Sequence, residues 1–271
     1  MTRKFESLEQ EWRAYLEGTH PSIRFGQRTF RLVPSSPRCK MCSAPFGGVG
    51  KAMFGPLGFK PWAKNPNLCA KCVTSLAKQD ISGVEIELSF LFADVRRSSE
   101  LARRVGTMEF TRLMQRFYAV ASEVLFGNEA VVEKFIGDEV VGFFLPLLTG
   151  PNHAAAAIRA AEDLLRATGH GDEDGPWLPL GAGVNTGFAF VGVVSSGPAT
   201  DFTAFGDAIN LTAHVASQAG PGEILVTDVA ASAAGIQADA LEHRELSLKG
   251  HPMGAVVLRT SAATPPAGSS A

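Results

Sequence analysis

A chain of 271 residues with 45% hydrophobic and 19% charged residues has the composition of a folded globular protein, with room for one sizeable domain and a smaller one. Its strongest apolar stretch, 140–148, contains Pro146 and falls well short of the ~18 residues read as a membrane span, and the N-terminus has no signal-peptide core, so a cytoplasmic location with no membrane span is expected. The formal net charge of −2 hides an asymmetry: residues 1–80 carry 13 Lys/Arg against 5 Asp/Glu, and residues 81–271 carry 12 against 22, as expected of two differently built parts.

Within residues 1–20, Phe5, Leu8, Trp12, Tyr15 and Leu16 fall at helical spacing and predict a short amphipathic helix, packed on its own domain or on a partner protomer. Residues 21–80 are rich in Gly and Pro with little periodicity, which predicts a loop-rich module that needs a staple. Cys39, Cys42, Cys69 and Cys72 supply it: two CxxC pairs place four thiolates for a tetrahedral structural Zn²⁺. Two disulfides are the alternative, disfavoured inside a cell, and a redox dithiol needs only one of the pairs. The segment from Gly47 to Lys51 resembles a phosphate-binding loop, but Pro45 and Ala52 stand at positions that motif requires to be Gly and Ser/Thr. The basic charge raises nucleic acid as a partner of residues 1–80, while the scarcity of interleaved aromatics argues against it. A regulatory partner for this module is expected without being specified.

From residue 84 the pattern alternates strands and helices. A strand over 84–93 is followed by helices at 98–105 and 107–126, a hairpin at 130–144 turning at Gly137–Asp138, and an alanine-rich helix at about 152–168. Strands near 180–186 and 188–194 and a helix starting near Asp207 complete a βαββαβ unit. The predicted class is α+β with a ferredoxin-like core, organised as 1–80, 81–260 and a disordered tail at 261–271. Asp94 and Asp138 end or follow apolar strands, where a carboxylate is costly unless solvated, paired or bound to metal. An isolated aspartate at such a place is commonly a turn or cap residue; a pair of hard oxygen ligands suits Mg²⁺ or Mn²⁺, which bring substrate phosphates with them.

The segments Phe92–Arg96, Lys134–Glu139, Gly183–Gly187, Asp201–Asn210 and Leu248–Gly250, in this order, resemble the class III nucleotide cyclase catalytic domain over about residues 84–260. The resemblance implies two Mg²⁺ or Mn²⁺ ions per site on Asp94 and Asp138, with the Val95 backbone carbonyl as a further ligand. It implies Lys134 and Thr203 at the purine-selecting positions, Asn210 orienting the ribose and Lys249 on the terminal phosphates. A lysine donor for adenine N1 and a hydroxyl acceptor for the N6 amino group point to ATP; guanine reverses both demands. His214 departs from the family, which places there an arginine that stabilises the reacting phosphate; imidazole is shorter and lacks the planar fork. Ser98 departs as well, standing where an apolar residue is usual. The hairpin lacks the motif of a diguanylate cyclase. The resemblance further implies a homodimer, each site built from both protomers. The expected function is an adenylate cyclase making 3′,5′-cyclic AMP and pyrophosphate, the alternative a nucleotide-binding pseudocyclase that regulates without turnover.

Overall fold

The computed structural model describes residues 7–63, 65–77, 83–196, 199–238, 241–248 and 251–259. The boundary expected at 80/81 and the tail at 261–271 lie outside the described residues. Near the N-terminus, Ser7 caps helix α1 (Leu8–Leu16), its hydroxyl accepting from the Gln10 N–H at 3.2 Å. Helix α2 (Pro21–Phe30) starts on Pro21 behind a His20 cap. Helix α3 (Gly48–Phe54) follows, then strand β1 (Pro61–Trp62) paired antiparallel with β2 (Asn65–Cys69), and helix α4 (Ala70–Ala77). The loop-rich expectation for residues 21–80 is therefore corrected: three helices lie there. Their Gly and Pro residues read as loop signals, yet Pro21 starts α2 and Gly26 lies within it, and Gly48 and Gly50 lie within α3. No strand leads into Gly47–Lys51, and Lys51 is exposed on α3, so this segment is not a phosphate-binding loop.

The larger part opens with β3 (Gly83–Val95), α5 (Ser98–Val105) and α6 (Thr107–Gly127). The hairpin β4 (Val131–Ile136) and β5 (Glu139–Phe144) follows, then a short α7 (Pro146–Thr149) and α8 (His153–Ala167). Next come β6 (Leu180–Ser196), β7 (Ala199–Phe205) and α9 (Asp207–Ser217). The chain closes with β8 (Glu223–Thr227), α10 (Asp228–Ala233), β9 (Glu242–Leu248) and β10 (His251–Arg259). The sheet runs β4-β5-β3-β6-β8-β10-β9, with β7 paired to the far half of β6. Its first four strands are antiparallel and, with α6 and α8, form the expected βαββαβ unit; β8 joins β6 in parallel.

One face of β3 is apolar from Val84 to Phe92 and the other from Leu91 to Val95, and each of these stretches is covered. Leu91, Ala93 and Val95 pack with Phe117, Ala121 and Leu125 of α6 and the alanine face of α8. On the other face, Val84, Ile86, Leu88 and Phe90 share one core with Trp12, Leu16, Met41, Phe46 and Leu68. The N-terminal helix thus packs on its own chain's sheet. Polar anchors add to this seam: Asn65 donates to the Ala130 carbonyl at 3.1 Å and Asn67 to that of Phe126 at 2.9 Å.

One strand expectation is corrected. The two strands read at 180–186 and 188–194 are a single 17-residue β6. Gly187 serves helix packing, not a turn: a Cβ there would meet Ala208 of α9 at 3.1 Å, and one on Gly183 would collide with the Ala216 backbone. Both glycines lie on the same face of β6, so α9 is seated directly on the sheet.

Candidate active site

The carboxylate pair sits where β3 ends beside the β4–β5 turn. Asp94 is opposite Glu139 in the antiparallel register, and the Val95 N–H donates to the Asp138 carbonyl at 3.1 Å, so Asp94 and Asp138 share one sheet end. Gly137 takes a positive φ of 61°, which lets the turn be tight, and the Tyr118 hydroxyl bonds its carbonyl. The Asp94 side chain is 28% exposed. Arg96 reaches back to form an ion pair with Asp94 and donates to the Ser217 and Ala219 carbonyls at 3.2 and 3.1 Å, tying the end of α9 to the end of β3. Burial pushes the Arg96 guanidinium below its ordinary pKa, opposed by the charges of Asp138 and Glu139. Three acidic groups therefore converge on this end, the donor chemistry a hard divalent cation requires. The chain then enters α5, whose N-terminus has no side-chain cap.

A second group forms around Thr203. The β4–β5 register slips between Val132 and Lys134, so Glu133 is the extra residue of a bulge. The Thr203 hydroxyl, on β7, donates to the Glu133 carboxylate at 2.7 Å. The structure thus brings Thr203 to the 133–134 stretch, although β7 and β4 are not neighbours in the sheet. Lys134 has its backbone in β4, opposite Val141; its side chain lies outside the described residues.

The third group lies on α9. Asn210 and His214 are one helical turn apart and line a cavity of about 810 Å³ with Asn185, Thr186, Asp207 and Asp228. The described lining carries no arginine or lysine. The imidazole Nε2 lies 3.0 Å from the Ser247 carbonyl; a carbonyl only accepts, so Nε2 carries the proton in that bond. Lys249 lies outside the described residues.

Within one protomer the Asp94 end and the α9 cavity lie apart along β6. Asp94 pairs with Gly181, whereas the cavity begins at Asn185, four residues on and about 13 Å further along β6. Sequence reasoning missed Arg96 as a partner of Asp94, Glu133 as a partner of Thr203, and the cavity residues Asn185 and Asp228. The adjacency of Glu133 to Lys134 was the one available signal for the second; the bulge has none.

In the N-terminal part the four cysteine sulfurs all lie within 4.8 Å of one another, with Cys42 and Cys69 at 3.8 Å. A tetrahedron of Zn–S bonds of about 2.3 Å puts its sulfurs about 3.8 Å apart. The Cys69 N–H donates to the Cys39 sulfur at 3.2 Å and the Cys72 N–H to the Cys69 sulfur at 3.3 Å. Hydrogen bonds from the other three cysteines hold the Cys39 thiol well below its ordinary pKa. Four sulfurs clustered at these separations fit a metal ion.

Comparison with known proteins bears on the larger part of the chain. The family model described as the adenylate and guanylate cyclase catalytic domain matches residues 84–260. An adenylate cyclase of Anabaena cylindrica is 24% identical over 155 residues, 54% of this chain and 31% of the relative. Adenylate cyclase 1 of Rhizobium meliloti is 25% identical over 134 residues, 48% of this chain and 20% of the relative. The chain therefore matches a third or less of the length of these relatives. Among solved structures, the guanylyl cyclase Cya2 aligns with a TM-score of 0.59 at 21% identity, covering 69% of this chain and 98% of that one. The adenylyl cyclase CyaB of P. aeruginosa aligns with a TM-score of 0.56 at 24% identity, covering 66% and 97%. These likenesses establish the mixed α+β cyclase fold. Both purine classes occur among them. Among the described residues no helix is long and apolar enough to cross a membrane.

Proposed function

We propose that this chain, which belongs to the adenylate and guanylate cyclase catalytic domain family, converts ATP to 3′,5′-cyclic AMP and pyrophosphate at sites shared between two copies of itself. The observation that carries this reading is the juxtaposition of Asp94 and Asp138 at one sheet end, with the cavity lined by Asn210 and His214 beginning about 13 Å further along β6.

Asp94, Asp138 and the Val95 carbonyl would hold two Mg²⁺ or Mn²⁺ ions, which when bound promote loss of the 3′-hydroxyl proton and neutralise the triphosphate. The 3′ oxygen bonds to the α-phosphorus, the bond to the β-phosphate oxygen breaks, and pyrophosphate departs with that oxygen. From the other protomer, Asn210 orients the ribose through its amide and Lys249 binds terminal phosphates. Thr203 and Lys134 select adenine. Arg96, already tied to Asp94 and to the end of α9, offsets the mutual repulsion of the acidic groups at this end. Structural Zn²⁺ on Cys39, Cys42, Cys69 and Cys72 staples the module that packs beneath the catalytic sheet.

The test is purified protein with ATP or GTP and Mn²⁺, separating cyclic from linear products. Cyclic AMP is the expected product, and Asp94→Ala and Asp138→Ala each remove it. Unchanged activity in either variant overturns the metal assignment. A second reading, a nucleotide-binding regulator with little turnover, draws on one observation: His214 stands in place of the family's arginine, and the described lining of its cavity carries no arginine or lysine. ATP binding with no cyclic product would favour it.

A further inference from the structure

We infer that Glu133 is a positioning residue for purine selection: it fixes the direction of the Thr203 hydroxyl, so that the oxygen presented to the base accepts a hydrogen bond and does not donate one. This rests on the proposed nucleotide site and deepens it by naming what sets the base preference.

The argument starts from the backbone. In a regular hairpin, residue 133 would be paired across to β5. The slip between Val132 and Lys134 leaves it the extra residue, and such a bulge re-aims a side chain. On β7, Phe202 and Ala204 are buried in the core that also holds the N-terminal helix, so Thr203 between them projects to the other side of that strand. There it meets the Glu133 carboxylate at 2.7 Å, across 70 positions of sequence.

The chemistry follows from one proton. A threonine hydroxyl has one hydrogen and two lone pairs, and a carboxylate has only acceptors. The hydrogen in this contact is therefore threonine's, and it is spent on Glu133. What remains for a ligand is a lone pair on Oγ1. The exocyclic N6 amino group of adenine donates to such an oxygen. The O6 of guanine is itself an acceptor and would face it lone pair to lone pair, unpaired once the site excludes water. A threonine without this anchor would rotate to serve either base. The hydroxyl alone is thus ambiguous, and Glu133 makes it selective.

The experiment measures affinity for ATP and for GTP, each competed against a fluorescent ATP analogue with Mg²⁺, in the full chain, in Glu133→Gln and in Thr203→Val. Glutamine keeps the shape but offers an amide that can donate to Thr203, freeing its hydrogen to point at the base. The wild type should prefer ATP, and Glu133→Gln should shrink the ATP:GTP affinity ratio about tenfold, the factor expected of one misdirected hydrogen bond. Loss of both affinities in proportion, with the ratio kept and the melting curve intact, overturns the inference and leaves the adenine reading standing. If Glu133→Gln does not fold, Thr203→Val decides: retention of the wild-type preference overturns the inference. A wild type that prefers GTP, or binds neither nucleotide, overturns both the adenine reading and the role of Glu133.

Discussion

At the scale of single residues, the site is defined as much by a substitution as by what is retained. His214 lines the α9 cavity with Asn210, and its Nε2 proton is taken by the Ser247 carbonyl. In that state the ring turns no donor toward a phosphate through Nε2. In other phosphoryl transfers an arginine at the reacting phosphate contributes on the order of 10³–10⁵ in rate. His214→Arg is therefore expected to raise kcat by at least about tenfold with little change in KM, because the added charge acts in the transition state. Steady-state kinetics with Mn²⁺–ATP measures this, and an unchanged kcat would mean that a residue elsewhere already supplies the charge. The carboxylates were legible in the sequence because polar residues at the ends of apolar runs stand out. Their partner Arg96 was not, since a basic residue two positions on signals nothing about which way its side chain folds. Glu133 was hidden for a related reason: side chains alternate along a regular strand, and a bulge that breaks the alternation leaves no mark in composition.

At the scale of elements, glycine is what brings α9 to the sheet. Gly183 and Gly187 face that helix, and a side chain on Gly183 would strike the Ala216 backbone. Gly183→Ala must move α9, and overpacking of this kind costs about 1–3 kcal/mol. Thermal melting should show a clear fall in Tm, with cyclase activity falling further than stability, since Asn210 and His214 ride on the displaced helix. An unaltered Tm and activity would show that the helix is free to shift. The same glycines explain a misreading. Gly187 stands between two apolar runs, which reads as a break, yet here it pairs with Leu88 in an unbroken ladder. The long helix α6 was legible over nearly its whole length because Met114, Phe117, Ala121 and Leu125 bury at helical spacing. Helix α2 was not, because Pro21 at its start and Gly26 within it read as loop signals in a segment only ten residues long.

At the scale of the whole molecule, the basic N-terminal part and the acidic catalytic part share a core. Trp12 and Leu16 are fully buried in the cluster that covers one face of β3. The sequence carried half of this: Val84, Ile86, Leu88 and Phe90 form one apolar face, and Leu91, Ala93 and Val95 make the far end of the other face apolar, so each had to be covered. It could not say by what, since a contact between distant segments has no local signature. A metal ion held by the four cysteines would therefore support the catalytic sheet as well. Chelation, or Cys39→Ser, should lower the Tm of the entire chain in a single transition, with loss of one bound Zn²⁺ read by a colorimetric chelator; two separated transitions would show that the parts fold independently. The separation of the Asp94 end from the α9 cavity leads to the most direct test. Asp94→Ala and Asn210→Ala should each be inactive alone, and a one-to-one mixture refolded or co-expressed should recover about a quarter of wild-type cyclic AMP formation, the share of intact sites when dimers form at random. Full activity in either variant alone, or no recovery from a mixture shown to dimerise, would contradict a site built across two protomers.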